Sequence, residues 1–276
     1  MAKTVVELYR DVSPKTNCGE CGVPTCLAFA SKVVLEKQAL DACPYLTPKT
    51  LAELQPELDA QHETGKHLKR DLAADALEWA KQKAASMKLE DLAERIGGEL
   101  KQGTEGVFLE LPYFAGAIHI GNDTLLHPDG TALGRWEQVF IYNHMAQGGS
   151  AEPIGEWKGL ELIPNTTPKL KSMQEHVEKP LLESFRGQPE ALLARAKLFG
   201  GQKVSNESFS SDLAIKFRPL PKVPILLLFW DEDPEEGFEA RVKLLFDETI
   251  SEHLDIESIM FLSERLRQLL RGDEAK

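Results

Sequence analysis

Beyond position 43 the sequence contains no cysteine, so nothing in the longer part of the chain can act as a thiol nucleophile or form a disulfide. Other signatures are missing as well. There is no GxxxxGK[ST] for a P-loop, no strand-to-helix GxGxxG for a dinucleotide, no GxSxG elbow, and no HExxH or CxxCH for catalytic zinc or covalent haem. Lys and Arg are outnumbered by Asp and Glu, giving a formal net charge of -12, which argues against sequence-independent binding of nucleic acid because phosphate affinity needs a local cationic excess. No apolar run approaches the roughly 20 residues that span a bilayer. The opening residues, MAKTVVELYRDV, show neither a basic leader nor an apolar signal core. These features predict a cytoplasmic protein without membrane insertion.

What cysteine there is lies in one segment. Cys18, Cys21, Cys26 and Cys43 are the only four in the 276 residues, in TNCGECGVPTCLAFASKVVLEKQALDACPYL, a C-x2-C-x4-C-x16-C pattern. Soft thiolates gathered in a short stretch of a reducing compartment point to a metal rather than to disulfides. Structural zinc usually pairs two close knuckles, and the fourth cysteine here has no second one beside it. The spacing therefore favours a [4Fe-4S] cluster, with structural zinc or free thiols as alternatives. Gly19 and Gly22 allow the positive φ needed to wrap a loop around a cluster, residues 26–40 read as a helix, and Pro44 fixes the exit of the chain after the fourth cysteine.

The run NCGECGVPTCLAFA, completed by ACPYL, resembles the small N-terminal domain of corrinoid iron–sulfur protein large subunits and of the B subunit of Rnf electron-transport complexes. That resemblance covers about the first 50 residues. It implies one [4Fe-4S] cluster on the four matching cysteines, passing single electrons at low potential, as in reduction of a corrinoid cobalt. From about residue 65 onward, IYNHMAQGG followed by GEWKGLELI, LPKVPILLLFWDEDPE and LLFDETISEHLDIES resemble a family of anaerobe proteins that join this motif to a domain of unknown function. This implies a recurrent pairing in anaerobic metabolism and assigns no chemistry to the second part.

The remaining pattern predicts an α+β chain with a small iron–sulfur module, 1–64, and a larger domain of antiparallel strands packed with helices, 65–276. TPKTLAELQPELDAQHETGK, with its two prolines, reads as short helical turns forming the connection. A helical stripe of Leu68, Leu72, Ala76, Trp79 and Met87 and a short helix ended by Gly97 and Gly98 follow. GVFLELPYF, AGAIHI and DTLLHP, separated by turns at Ala115-Gly116, Gly121-Asn122-Asp123 and Pro128-Asp129-Gly130, predict an antiparallel meander. A helix over 135–147, helices across 168–199 broken or kinked at Pro180, and a terminal helix with Ile256, Ile259, Met260, Leu266, Leu269 and Leu270 along one stripe are expected. KVPILLLFW is apolar throughout, as in a strand buried on both faces, and pairs with EARVKLLFD across an acidic turn holding Asp231, Glu232, Asp233, Glu235 and Glu236. That turn reads as a solvated hairpin tip rather than a cation or partner site.

Candidates for a second cofactor are fewer. An axial ligand to a corrinoid or other tetrapyrrole can be one histidine without a motif, which makes His119, His127 and His144 candidates. Trp136, Tyr142, Met145 and Trp157 are the aromatic and sulfur side chains that would line a flat cleft beside His144. The plain alternative is structural histidines and core filling. Three functions compete: one-electron transfer with the larger domain docking a redox partner or cofactor; a corrinoid-binding protein or enzyme whose cofactor the cluster reduces; and a structural or sensory cluster.

Overall fold

The fold is that of a computed structural model, which describes residues 3–63, 72–104, 106–121, 124–205, 207–232 and 237–273. It divides into two compact units, Met1–Asp75 and Ala76–Lys276. The expected boundary after residue 64, together with Leu68, Asn122, Asp123, Asp233, Glu235 and Glu236, lies outside the described residues, as does the side chain of Leu72.

The first unit opens with α1 (Val5–Asp11), whose N-cap Thr4 and Glu7 close a reciprocal capping box. Helix α2 (Cys26–Glu36) is capped by Thr25, which accepts from Ala28 N, and stops at Lys37 in a left-handed conformation. It is thus shorter than the 26–40 read from the sequence. A 3-10 turn, Leu40–Ala42, leads to Cys43. The two-proline stretch is one helix, α3 (Pro48–Glu63), rather than short turns. Pro48 begins that helix, where no amide donor is needed, and Pro56 is tolerated inside it. Leu8, Val23, Phe29, Ala30, Val33, Val34, Leu40, Cys43 and Leu58 form the core among the described residues. His62 on α3 bonds the Val34 carbonyl at 3.1 Å, and Gln61 exchanges two hydrogen bonds with the Lys3 backbone.

The second unit is α+β. Helix α4 (Leu72–Ala84) buries Ala80 and Ala84 but leaves Trp79 55% exposed, with the Lys83 ammonium 3.5 Å from its ring centroid. Trp79 is therefore a surface residue and not part of the expected packing stripe. Helix α5 (Leu89–Ile96) ends at Gly97 as expected. A four-stranded antiparallel meander follows: β1 (Glu99–Gly103), β2 (Gly106–Tyr113), β3 (Gly116–Ile120) and β4 (Leu125–Leu126). The polar β1, ELKQG, gives no strand signal in sequence and is held by pairing with β2. Gly98, at φ +106, passes so close to β2 that a Cβ there would lie 2.7 Å from the Glu110 carbonyl oxygen.

Helix α6 (Arg135–Gln147) has the expected limits, and strand β5 (Trp157–Gly159) follows it. In 167–185 the helix is not uniform: α7 (Leu170–Met173) opens into a π-helical turn, Gln174–Glu178, before α8 (Lys179–Phe185). Pro180 supplies no N–H to the i-4 ladder, and the Lys179 amide bonds Gln174 O five residues back. Helix α9 (Pro189–Lys197) precedes β6 (Gln202–Lys203), β7 (Leu213–Leu220), β8 (Val223–Trp230) and β9 (Arg241–Asp247). The expected hairpin is β8–β9, but it belongs to a five-stranded antiparallel sheet ordered β5-β9-β8-β7-β6. Helices α10 (Ile250–His253) and α11 (Ile256–Arg271) end the fold.

The unbroken apolar run of β8 has a direct cause. Ile225, Leu227 and Phe229 enter the main core, while Leu226 and Leu228 join a second cluster with Ala214, Trp157 and Phe209 on the opposite face. Helix α11 sends Ile259, Met260, Leu262, Leu266 and Leu270 into the main core.

Two buried histidines join α6 to α10. His144 Nδ1 lies 3.0 Å from the His253 carbonyl, and His253 Nε2 lies 3.0 Å from the Ala151 carbonyl, so each ring holds a proton on the nitrogen facing a carbonyl. Burial pushes His144 down to about 4 and also lowers His253. The unfolded chain takes up these protons near the ordinary histidine value of about 6.5, before the folded chain does, so stability is complete above that value and falls as the pH drops towards 4. Urea unfolding at pH 7 and pH 5 should differ by about 2 kcal/mol from His144, and His144→Gln should flatten the profile. Equal loss in the variant would contradict this assignment.

Candidate metal centre

The loop before α2 is shaped by residues that accept positive φ. Asn17 has φ 49, Gly19 has φ 80 and Gly22 has φ 82, and a turn bond from Gly22 N to Gly19 O at 3.0 Å places Cys21 within it. Space is not the constraint at Gly22, where a Cβ would meet nothing within 4 Å; the backbone angle is. Asn17 closes the loop onto α2 in both directions. Its Oδ1 accepts from Cys26 N at 2.9 Å, and its own N–H donates to Cys26 Sγ at 3.4 Å. Cys26 is the first residue of α2, where unpaired amides favour nearby negative charge.

The fourth cysteine arrives by a separate route. The 3-10 turn is locked when Cys43 N bonds Leu40 O at 3.1 Å, and Leu40 N bonds Gln55 Oε1 on α3 at 2.9 Å. Two side chains of this returning segment reach the loop. Gln38 Nε2 donates to the Cys21 carbonyl at 3.3 Å, and Tyr45 Oη donates to Glu20 Oε1 at 2.7 Å. The Tyr45 phenol is held above its ordinary value first by the Glu20 bond and also by the nearby Cys18 and Cys43.

All four thiols are free: Cys18 is exposed, Cys21 half-buried, and Cys26 and Cys43 buried. Among the described residues, no group of three or more His, Cys, Asp or Glu side chains forms a set that could hold a metal ion. The donors are thus gathered on one module without forming a closed cage. In chemistry the set fits an iron–sulfur cluster, with four sulfur donors, no competing disulfide and a backbone N–H already aimed at one sulfur. Asn17, Glu20 and Tyr45 are not evident from cysteine spacing. An Asn just before the first cysteine of a glycine-rich loop is a readable signal for a left-handed turn, whereas the Tyr45 contact spans 25 positions and has no local signature.

The second set of candidates is dispersed. His119 is on β3, its ring tilted by 43° against that of Phe108 with centroids 4.4 Å apart, and paired with Glu110 at 3.3 Å. His127 lines a small pocket with Tyr113, Phe114 and Arg265. His144 is fully buried against α10, and Trp136 stacks on Phe261 of α11 at 4.5 Å. Tyr142 and Met145 are in the main core, and Trp157 is in the cluster on the far face of the larger sheet. These side chains therefore do not line one cleft. Sequence reasoning missed a groove of about 1480 Å3 between the π-helical turn and β9, lined among others by Glu178, Trp230, Phe238, Arg241 and Lys243. In it Arg241 stacks on Trp230, Lys243 bonds Glu161 at 2.9 Å, and burial pushes Glu178 up while it accepts from Leu244 N at 3.2 Å.

Comparison with known proteins matches two separate segments of the chain. A family profile described as "Domain of unknown function (DUF3786)" matches residues 88–269, and one described as "Putative Fe-S cluster" matches residues 14–45. The corrinoid/iron-sulfur protein large subunit of Moorella thermoacetica is 53% identical over 47 residues, 17% of this chain and 10% of its own length. Acetyl-CoA decarbonylase/synthase complex subunit gamma 1 of Methanosarcina thermophila is 51% identical over 55 residues, 20% of this chain and 12% of its own. The subunit gamma of Methanocaldococcus jannaschii is 45% identical over 47 residues, 17% of this chain and 9% of its own. The chain therefore spans about a tenth of the length of these relatives. No solved structure matches.

The burial order of the thiols is open to a direct check. In metal-free folded protein an alkylating reagent should label Cys18 first and Cys21 more slowly, with Cys26 and Cys43 reacting only on unfolding. Mass spectrometry of timed samples reads the order, and uniform labelling of the folded chain would contradict it.

Proposed function

Since the chain belongs to the DUF3786 family and carries an iron–sulfur segment at its N-terminal end, we propose that it is a one-cluster electron-transfer protein in which Cys18, Cys21, Cys26 and Cys43 hold a single [4Fe-4S] cluster. When bound, such a cluster takes up and releases one electron at a time. The observation that carries this reading is the set of four free thiols on one module, with the Asn17 N–H directed at Cys26 Sγ. Asn17 orients Cys26 and partly neutralises its sulfur, Gly19 and Gly22 supply the positive φ that curves the loop, and the exposed Cys18 marks the side from which an electron enters or leaves. Acidic surroundings lower the potential, which suits anaerobic metabolism in a reducing cytoplasm.

In this reading residues 76–276 dock a redox partner protein or a cofactor, and the groove between the π-helical turn and β9 is the surface for it. The gamma-subunit relatives are by name subunits of a larger complex, which supports a protein partner. Among the described residues no helix is long and apolar enough to cross a membrane.

A second reading, a corrinoid or other tetrapyrrole held by the larger unit and reduced by the cluster, draws support from the name of the Moorella relative and from the size of the groove. Of its candidate imidazoles, His119 and His127 are partly exposed, while His144 is fully enclosed.

Iron and sulfide analysis with electron paramagnetic resonance, before and after dithionite, tests both. The expected result is about four irons per chain, from the cubane formula, and a reduced S = 1/2 signal lost in Cys43→Ser. Zinc without iron after anaerobic reconstitution would sink the cluster assignment, and a cluster that no reductant reaches would leave a structural or sensory role. Absence of any new chromophore after adding cobalamin would count against the second reading.

A further inference from the structure

The loop 18–26 carries three of the four thiols, and the fourth must be brought to it by the segment that returns after α2. On the buried side this is done by packing, since Cys43 belongs to the core cluster and Cys21 lies against it. On the solvent side Cys18 is exposed and takes no part in that packing. There the two segments are joined by the bond from Tyr45 to Glu20, which sits between Cys18 and Cys21. We propose that Tyr45 and Glu20 form a clasp over the open side of the cysteine set: the hydrogen bond closes the fourth ligand's segment onto the loop, and the phenol masks the Glu20 carboxylate from the charge held on the sulfurs.

Physical chemistry gives the two halves different consequences. The Tyr45 side chain is 51% exposed, so its bond is worth the modest amount typical of surface contacts rather than of buried ones. It acts where the chain is least constrained, between an exposed thiol and a segment anchored from behind by Leu40 and Gln55. Losing it lets the solvent side open and exposes cluster atoms to solvent and chelator. Glu20, unmasked, sets a full negative charge beside sulfurs that must accept an electron, which makes reduction harder. Tyr45 and Glu20 are therefore positioning residues, acting through the cysteines.

This inference rests on the cluster assignment above, and the test separates the two. The reconstituted full-length chain, Tyr45→Phe and Glu20→Gln are first assayed for iron and sulfide, then for the rate of iron release to a ferrous chelator and for the midpoint potential in a dithionite titration. Tyr45→Phe should bind iron at the wild-type stoichiometry, release it about fivefold faster, the equivalent of one modest hydrogen bond, and show a lower potential. Glu20→Gln, whose amide oxygen still accepts from Tyr45, should release iron at the wild-type rate and show a raised potential. Release from Tyr45→Phe at the wild-type rate would overturn the clasp, and equal potentials in wild type and Tyr45→Phe would overturn the masking. A wild-type chain that takes up no iron fails the cluster assignment itself, and the clasp with it.

Discussion

Everything around the cysteines depends on burying one face of α2. Phe29, Ala30, Val33 and Val34 are enclosed by Leu8 from α1, Leu40 from the 3-10 turn and Leu58 from α3, and that packing sets where the loop before α2 lies relative to the turn after it. Cys26 begins the helix and Cys43 follows the turn, so the same hydrophobic contact that folds the module also sets the separation of the buried thiols. The polar bonds refine this arrangement. Asn17 ties the loop to the helix start, Gln38 ties the returning chain to Cys21, and His62 ties α3 to the end of α2.

So small a core explains why a metal would matter to folding. Nine buried residues, one of them Cys43, form the cluster that holds the first unit, whereas the second unit has two sheets and several helices closing over a much larger interior. Modules of this size commonly draw part of their stability from a metal, because deprotonated thiolates gain partners in the folded state that the unfolded chain does not offer them. The exposed Cys18 and the absence of a closed cage among the described residues agree with a ligand set that packing brings near but does not complete. In the cluster reading, ligation supplies the last constraint.

Legibility in the sequence followed the range of the interactions. The four cysteines, the glycines at 19 and 22, the limits of α6, the β2–β3 meander and the doubly buried β8 announce themselves through local pattern. Strand β1 did not, because ELKQG forms a strand through its pairing partner rather than its own propensity. The two prolines of α3 suggested a break, yet one stands at the helix start and the other is outweighed by the helix around it. Trp79 looked like core because helical spacing says which residues share a face and not what covers that face. The aromatic cleft beside His144 failed for the same reason, its members being divided among three environments.

The larger unit carries its polarity in two distinct ways. Where α6, α10 and the following loop meet, the buried histidines are neutral and bound to backbone carbonyls, an arrangement that locks structure and leaves little room for chemistry. At the groove the polar groups are partly exposed: Arg241 on Trp230, Lys243 between Glu161 and Glu178, and Glu178 itself, whose carboxyl burial pushes up while Lys243 and the Leu244 amide oppose the shift. The π-helical turn puts Glu178 there, because Pro180 cannot continue the i-4 ladder and the chain widens by one residue just before it. The turn also serves the core, since Val177 within it is fully buried, as is Leu181 on α8 after it. It also turns a carboxylate towards β9, where Glu178 takes the Leu244 amide and lines the groove, so that in this wall of the second unit one short turn supplies both core packing and groove polarity.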